Sequence, residues 1–383
     1  MVWLNNLKLK SKDPQVRCKA IEALDLENGV DSRLFDQLAA FLADEDALVR
    51  GAAARALAKV QDGRVLQLLV PLLRDPSPEA RQGAAVALGE HGDSLAIAPL
   101  TACFNDTNLN VRASAAGSLR NLGWHPSSSE EQALFDIAVG NVRAASFQGQ
   151  AAVNPLLSEL RNDTVFSRRA AAEALEDVAD PRRIKPLLEA VADSDPTVQV
   201  SAIHALSKES DPEVTSALLQ ALRDREACVR LAAAQVLSRR DDPELVAYFL
   251  GPVQDENFEV RLTAVQFLGR FHCPEIVEAL VGRLGDTDSD VRLAAAKALG
   301  TLGDPVAVEG LVLTLVDEER TVRQTAESSL NQIDPNWAQS EVAQRAAAQL
   351  EEAMSKRPAW VRAAGSQVIA HLRAAAENSS VLP

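Results

Sequence analysis

The sequence repeats, and the repeat limits what it can fold into. Asp286 to Leu299 reads DTDSDVRLAAAKAL. The same phrase returns at Asp224 to Leu237 (DREACVRLAAAQVL), at Asp255 to Leu268 (DENFEVRLTAVQFL) and at Asp317 to Leu330 (DEERTVRQTAESSL). Gln199, Arg230, Arg261, Arg292 and Arg323 stand 31 residues apart. A period of this length marks supersecondary units that bury their apolar surface on the units beside them. Marked by the arginine of this phrase, the series runs Arg17, Arg50, Arg81, Arg112, Arg143, Arg168, Gln199, Arg230, Arg261, Arg292, Arg323 and Arg362, twelve units in all. Most steps are 31; the first is 33, Arg143 to Arg168 is 25, and the last is 39.

Within a unit the pattern is helical. Val291, Ala295, Ala298 and Leu299 recur at one-face spacing in the helix that carries the marker. A second helix follows an Asp-Pro turn, as at Asp304-Pro305 before Val308 to Val316. Asp caps a helix start and Pro suits its first turn. Helices this short do not stand alone in water, so stacking must stabilise them.

One polar pair keeps an offset of six: Asp44/Arg50, Asp75/Arg81, Asp106/Arg112, Asp224/Arg230, Asp255/Arg261, Asp286/Arg292 and Asp317/Arg323. The aspartate suits the free amides of the marker helix, and the arginine can reach the aspartate of the adjoining unit through a forked, charge-assisted bond. The expected result is a structural ladder along the stack. Gln199 drops the charge from its rung.

The pattern DxxxxVRxxAAxALGxxGDP resembles the HEAT repeats of the short bacterial type known from phycobilisome lyase-like proteins, over nearly the whole chain. The resemblance implies an all-α fold, a right-handed α-solenoid of about twelve HEAT-like helical hairpins. It also implies a non-enzymatic protein-protein interaction scaffold or adaptor, with a protein partner along its concave face, because such repeats serve mostly as interaction scaffolds. The alternative it leaves open is a phycobilin lyase-like enzyme or chromophore-handling protein. An alanine-rich inner face poor in aromatics suits a tetrapyrrole badly. Deoxyhypusine hydroxylase, a diiron enzyme of similar repeats, carries His-Glu pairs; here none of His91, His125, His204, His272 and His371 is followed by Glu.

Composition narrows the partners. A net charge of -15 opposes nucleic acid, which needs a basic stripe. Hydrophobic residues make up 47% and aromatics 4%, so the core is built from Ala, Leu and Val. The longest apolar run, Val65 to Leu73, is interrupted by Gln67 and Pro71, so no membrane insertion is expected. Cys18, Cys103, Cys228 and Cys273 form no CxxC and read as free buried thiols in a reducing compartment. The N-terminus lacks a long apolar stretch, so a cytoplasmic location is the default expectation. His272-Cys273 has no further metal ligands at useful spacing, and no phosphate loop or catalytic triad can be assembled. No catalytic residue, cofactor or metal is therefore assigned.

The period divides the chain into N-terminal repeats over 1–121, an irregular, shortened repeat over 122–157, C-terminal repeats over 158–333, and an atypical capping repeat and tail over 334–383. The irregular stretch reads either as a joint between two stacks or as a packing defect. Altered terminal repeats are expected, since they hide an open core end. Residues 378–383 read as a frayed tail. The basic N-terminal end, with Lys8, Lys10, Lys12, Arg17 and Lys19, reads as a solvated cap or a seat for an acidic partner.

The inner face supplies the candidate binding residues. One position after the marker stand Val200, Leu231, Leu262 and Leu293; five after it stand His204, Gln235, Gln266 and Lys297. Neighbouring helices lie roughly 8–10 Å apart, which makes an aliphatic stripe flanked by polar groups. The stripe either receives an amphipathic helix or extended peptide, or seals adjacent repeats.

Overall fold

The computed structural model describes residues 8–24, 26, 30–354 and 359–379. Every regular element among them is a helix. The chain forms two compact units, Met1–Ala190 and Val191–Pro383. Each is an α-solenoid stack of helical hairpins. The tail residues 380–383 and the first seven residues lie outside the described part.

In the first unit the marker helices are α1 (Pro14–Glu22), α3 (Ala47–Ala58), α5 (Pro78–His91), α7 (Leu109–Asn121), α9 (Val142–Ala145) and α11 (Val165–Glu176). They alternate with α2 (Ser32–Phe41), α4 (Arg64–Leu72), α6 (Ile97–Ala102), α8 (Ser129–Ala138), α10 (Val153–Glu159) and α12 (Ile184–Ala190). In the second unit the marker helices are α13 (Pro196–Ala205), α15 (Ala227–Ser238), α17 (Phe258–Leu268), α19 (Ser289–Leu302) and α21 (Arg320–Ile333). Between them lie α14 (Pro212–Ala221), α16 (Val246–Phe249), α18 (Pro274–Arg283) and α20 (Val308–Thr314), and α22 (Glu341–Met354) and α23 (Ala359–Ser379) end the chain.

The period becomes columns of core side chains. Val198, Val229, Val260, Val291 and Val322 are fully buried, and so are Leu206, Leu237, Leu268, Leu299 and Leu330. On the intervening helices Leu218, Phe249, Leu280 and Leu311 complete the column. Burying such a side chain contributes about 1.5–3 kcal/mol, repeated in every hairpin. Ala298 is an exception to the expected face: it is half-buried, and Ala296 is fully buried with Val291, Ala295 and Leu299.

The Asp-Pro turns start helices as expected. Asp211 accepts the Glu213 amide at 2.8 Å before α14, and Asp304 accepts the Val306 amide at 2.9 Å. The ladder aspartates do something else. Asp224 accepts the amide of Glu226, which is itself the N-cap of α15, so it shapes the turn before the helix rather than capping it. Capping falls two residues later, to Asp46, Asn108, Asp195, Asn257 and Asp288. The free amides of the first helical turn lie beyond the reach of the earlier aspartate.

The irregular segment is packed by an aromatic knot. Phe104, Trp124 and Phe135 hold their ring centroids 5.7–6.2 Å apart, within the favourable range for aromatic pairs. Gly149 turns the chain between α9 and α10 with φ 59° and ψ -131°, a backbone conformation open to glycine. At the C-terminal end Trp337 is buried and donates its Nε1–H to Asn331 Oδ1 at 3.2 Å. Gln344 ties α22 to α23 by donating to the Leu372 carbonyl at 2.8 Å.

Candidate functional site

The ladder and the face beside it come from the same marker helices. Arg261 is buried, and its Nε and Nη2 donate to the two oxygens of Asp286 at 2.8 and 2.7 Å. Its Nη1 donates to the carbonyls of Asp255 and Glu256, six and five residues back. Arg50 to Asp75, Arg81 to Asp106, Arg230 to Asp255 and Arg292 to Asp317 repeat this fork between 2.6 and 3.0 Å. Arg17 reaches Asp44 with Nη2 alone at 2.7 Å. Each guanidinium thus joins the turn of its own repeat to the turn of the next.

The charges answer one another. In Arg230, Arg261 and Arg292 the bond to the facing aspartate holds the guanidinium pKa above its ordinary value. Burial pushes the Asp75, Asp255 and Asp286 carboxyls up, but the facing arginine and the turn amide together hold each below the usual carboxylate range.

Four rungs differ. Arg112 skips the irregular segment and pairs with Glu159. Arg143 forms no rung: its side chain is 81% exposed and only approaches Asp177 at 4.0 Å. The shortened unit places it outside the row, so the phase read from sequence does not carry a ladder function there. Gln199 donates its amide to the Val191 carbonyl at 3.0 Å instead of facing Asp224. Arg323 has its guanidinium 5.3 Å from the Trp360 ring centroid.

The eight candidate binding residues divide. Val200, Leu231, Leu262 and Leu293 are all half-buried, as are His204 and Gln235; Gln266 and Lys297 are exposed. A groove of about 540 Å³ between α17 and α19 brings Leu262, Gln266, Leu293 and Lys297 together. Ala294 and Ala298 add to its apolar lining, and Arg270 and Asp290 add charge. Val200, His204, Leu231 and Gln235 do not line it. Small residues bring the helices close at this groove: a Cβ on Gly269 would lie 2.6 Å from that of Ala298.

Other residues singled out in the sequence are placed apart. His272 Nε2 lies 3.2 Å from Asp304, and Cys273 precedes α18 as its N-cap. Among the described residues no cluster of three or more His, Cys, Asp or Glu side chains could hold a metal ion. The four thiols are free, but only Cys103 is buried, and burial pushes it up to about 11; Cys228 is exposed on α15. The expectation that all four are buried fails because the exposed face of a marker helix also accepts small side chains. Sequence reasoning missed Phe147, which is 83% exposed in the irregular segment. Its signal was an aromatic in a chain poor in them, at a place where the period had lapsed.

The family model for HEAT repeats matches residues 3–77, 35–120, 68–149, 153–238, 184–258 and 243–331. This is a HEAT-repeat protein. The HEAT match covers most of the chain and includes the irregular segment in part. No curated protein matches the sequence. Among solved structures, an engineered protein is similar at 22% identity, with 86% of this chain and 98% of that one covered and a TM-score of 0.41. The Escherichia coli protein YibA is similar at 19% identity, covering 85% and 97%, with a TM-score of 0.35. Human deoxyhypusine hydroxylase, solved with glycerol, is similar at 22%, covering 87% and 96%, with a TM-score of 0.28. Superpositions this loose carry no argument about what the HEAT chain does. No helix among the described residues is long and apolar enough to cross a membrane.

Proposed function

We propose that this HEAT-repeat chain is a non-enzymatic scaffold that seats a protein partner in the groove between α17 and α19. One observation carries the reading. Leu262 and Leu293, two members of the aliphatic row, line a single groove with Ala294 and Ala298, and Gln266 and Lys297 stand beside them. An apolar floor with polar margins takes the apolar face of an amphipathic helix or the side chains of an extended segment. Leu231 and Val200 extend the row along α15 and α13 and are half-buried there. A net charge of -15 favours protein over nucleic acid as the partner. Within the family, the DxxxxVR…GDP phrase resembles the short bacterial repeats and supports that subtype in this reading. The bilin-handling alternative draws no support from the groove, whose lining holds no aromatic ring.

The test is a selection of amphipathic peptides on the immobilised wild-type chain. Binding of the selected peptides should weaken at least about tenfold in Leu262→Asp, because interface energy concentrates in a few central side chains. Peptides that bind the variant and the wild type equally well place the binding face elsewhere.

A further inference from the structure

At residue 199 the ladder lacks its arginine, and the groups that would receive that arginine line an open cleft. In the regular rungs an arginine places Nε and Nη2 on the carboxylate of the aspartate 25 residues on, and Nη1 on the carbonyls six and five residues back. At residue 199 that arginine is glutamine. The shorter side chain turns to the Val191 carbonyl. Asp224, the aspartate 25 residues on, is left with the Glu226 amide at 2.9 Å and no cation within ion-pair distance. An open cleft of about 680 Å³ lies at this point, lined by Asp193, Ser194, Gln199 and Asp224 among others. Asp193 and Ser194 are the residues six and five back from Gln199, the positions whose carbonyls accept Nη1 in the other rungs.

We propose that this cleft receives an arginine side chain from a protein partner, which completes the rung in trans. The regular rungs provide the template: the same turn geometry binds a guanidinium at Asp255, Asp286 and Asp317. Tyr248 also lines the cleft and is 44% exposed, so its ring is available to a planar cation. Arg223 and Arg225 line the same cleft. Their charge offsets much of the attraction for a simple ammonium, so recognition falls to the fork of donors that only a guanidinium has. The cleft shares no lining residue with the groove of α17 and α19.

The experiment uses the full chain and Nα-acetyl-arginine amide, with the lysine and citrulline counterparts as controls, read by saturation transfer in ligand-observed NMR. Arginine amide should receive transfer from the wild type, and lysine and citrulline amides at least about fivefold less. Gln199→Arg fills the rung from within the chain; it should abolish the transfer and raise the unfolding midpoint. Asp224→Asn should abolish the transfer while circular dichroism stays helical. Absence of transfer with the wild type overturns the proposal. So does transfer that survives both substitutions, or that citrulline matches.

Discussion

Arg112 reaches past the irregular segment to Glu159, Nη2 to Oε2 at 3.0 Å, with side chains only 2% and 7% exposed. It is the one rung described whose partner lies 47 residues away rather than 25 to 27. The contact is single, and the Arg112 Nε is buried without a partner. Glu159→Ala should therefore cost about 3 kcal/mol, because it leaves a buried guanidinium uncompensated. The double change Arg112→Leu with Glu159→Leu should return to within about 1 kcal/mol of wild type, since it removes both charges. Urea unfolding of the three proteins checks this; equal losses in the single and double variants would contradict it.

The ladder predicts unequal arginines. Arg261→Ala leaves the buried Asp286 with the Asp288 amide at 2.9 Å and Arg283 Nη1 at 3.3 Å but without its forked partner, and should cost about 3 kcal/mol. Arg323→Ala loses its Nη1 bonds to the Asp317 and Glu318 carbonyls and the contact with the half-exposed ring of Trp360, but breaks no forked bond to an aspartate, and should cost about 1 kcal/mol. Chemical denaturation separates the two, and similar midpoints for both variants would show that the forked bonds contribute nothing special.

Acid should weaken the stack through the ladder. The Asp75, Asp255 and Asp286 carboxyls titrate lower in the folded chain than in the unfolded one. In the pH range between the two values the unfolded state binds more protons, so stability rises with pH there. The contribution is complete above the unfolded value of about 3.9 and is lost as pH falls through the depressed folded values. Asp286→Asn, already neutral, should lose less stability than wild type over that acid range. Parallel pH dependences would show that the ladder carboxylates do not set the acid stability.

The groove depends on a close helix approach. In Gly269→Ala the new Cβ falls 2.6 Å from that of Ala298. Gly269 caps α17 with a backbone that alanine can adopt, so restricting the unfolded chain stabilises by about 0.4–1 kcal/mol, while overpacking costs about 1–3 kcal/mol, and a net loss is expected. Adding Ala298→Gly should recover most of it. A Gly269→Ala protein with an unchanged or raised melting temperature would show that α17 and α19 have room to part.

The fold was legible because each repeat states the same instruction. Val260 and Leu268 occupy the same buried columns as Val291 and Leu299, so one helix reads for all. The Asp–Arg offset was legible for the same reason. The 47-residue reach of Arg112 was not, because the period lapses and glutamate stands where no aspartate pattern points. Nor was the division of the aliphatic row. Whether Leu231 or Leu293 lines a groove depends on how far neighbouring helices part, and side chains from other positions, such as Gly269 and Ala298, set that distance. The vacancy beside Gln199 was visible as a lost charge, but the cleft it leaves needed coordinates.

The proposed partner surface is the groove of α17 and α19. The direct measurement is photo-crosslinking from a benzophenone amino acid placed at Gln266, which lines the groove, and separately at Val306, which is 69% exposed and outside it. A partner adduct should form from position 266 and disappear in Leu262→Asp with Leu293→Asp while the helical circular dichroism is retained, and none should form from position 306. An adduct from position 306 alone, or one from position 266 that survives the double substitution in a folded protein, would contradict it.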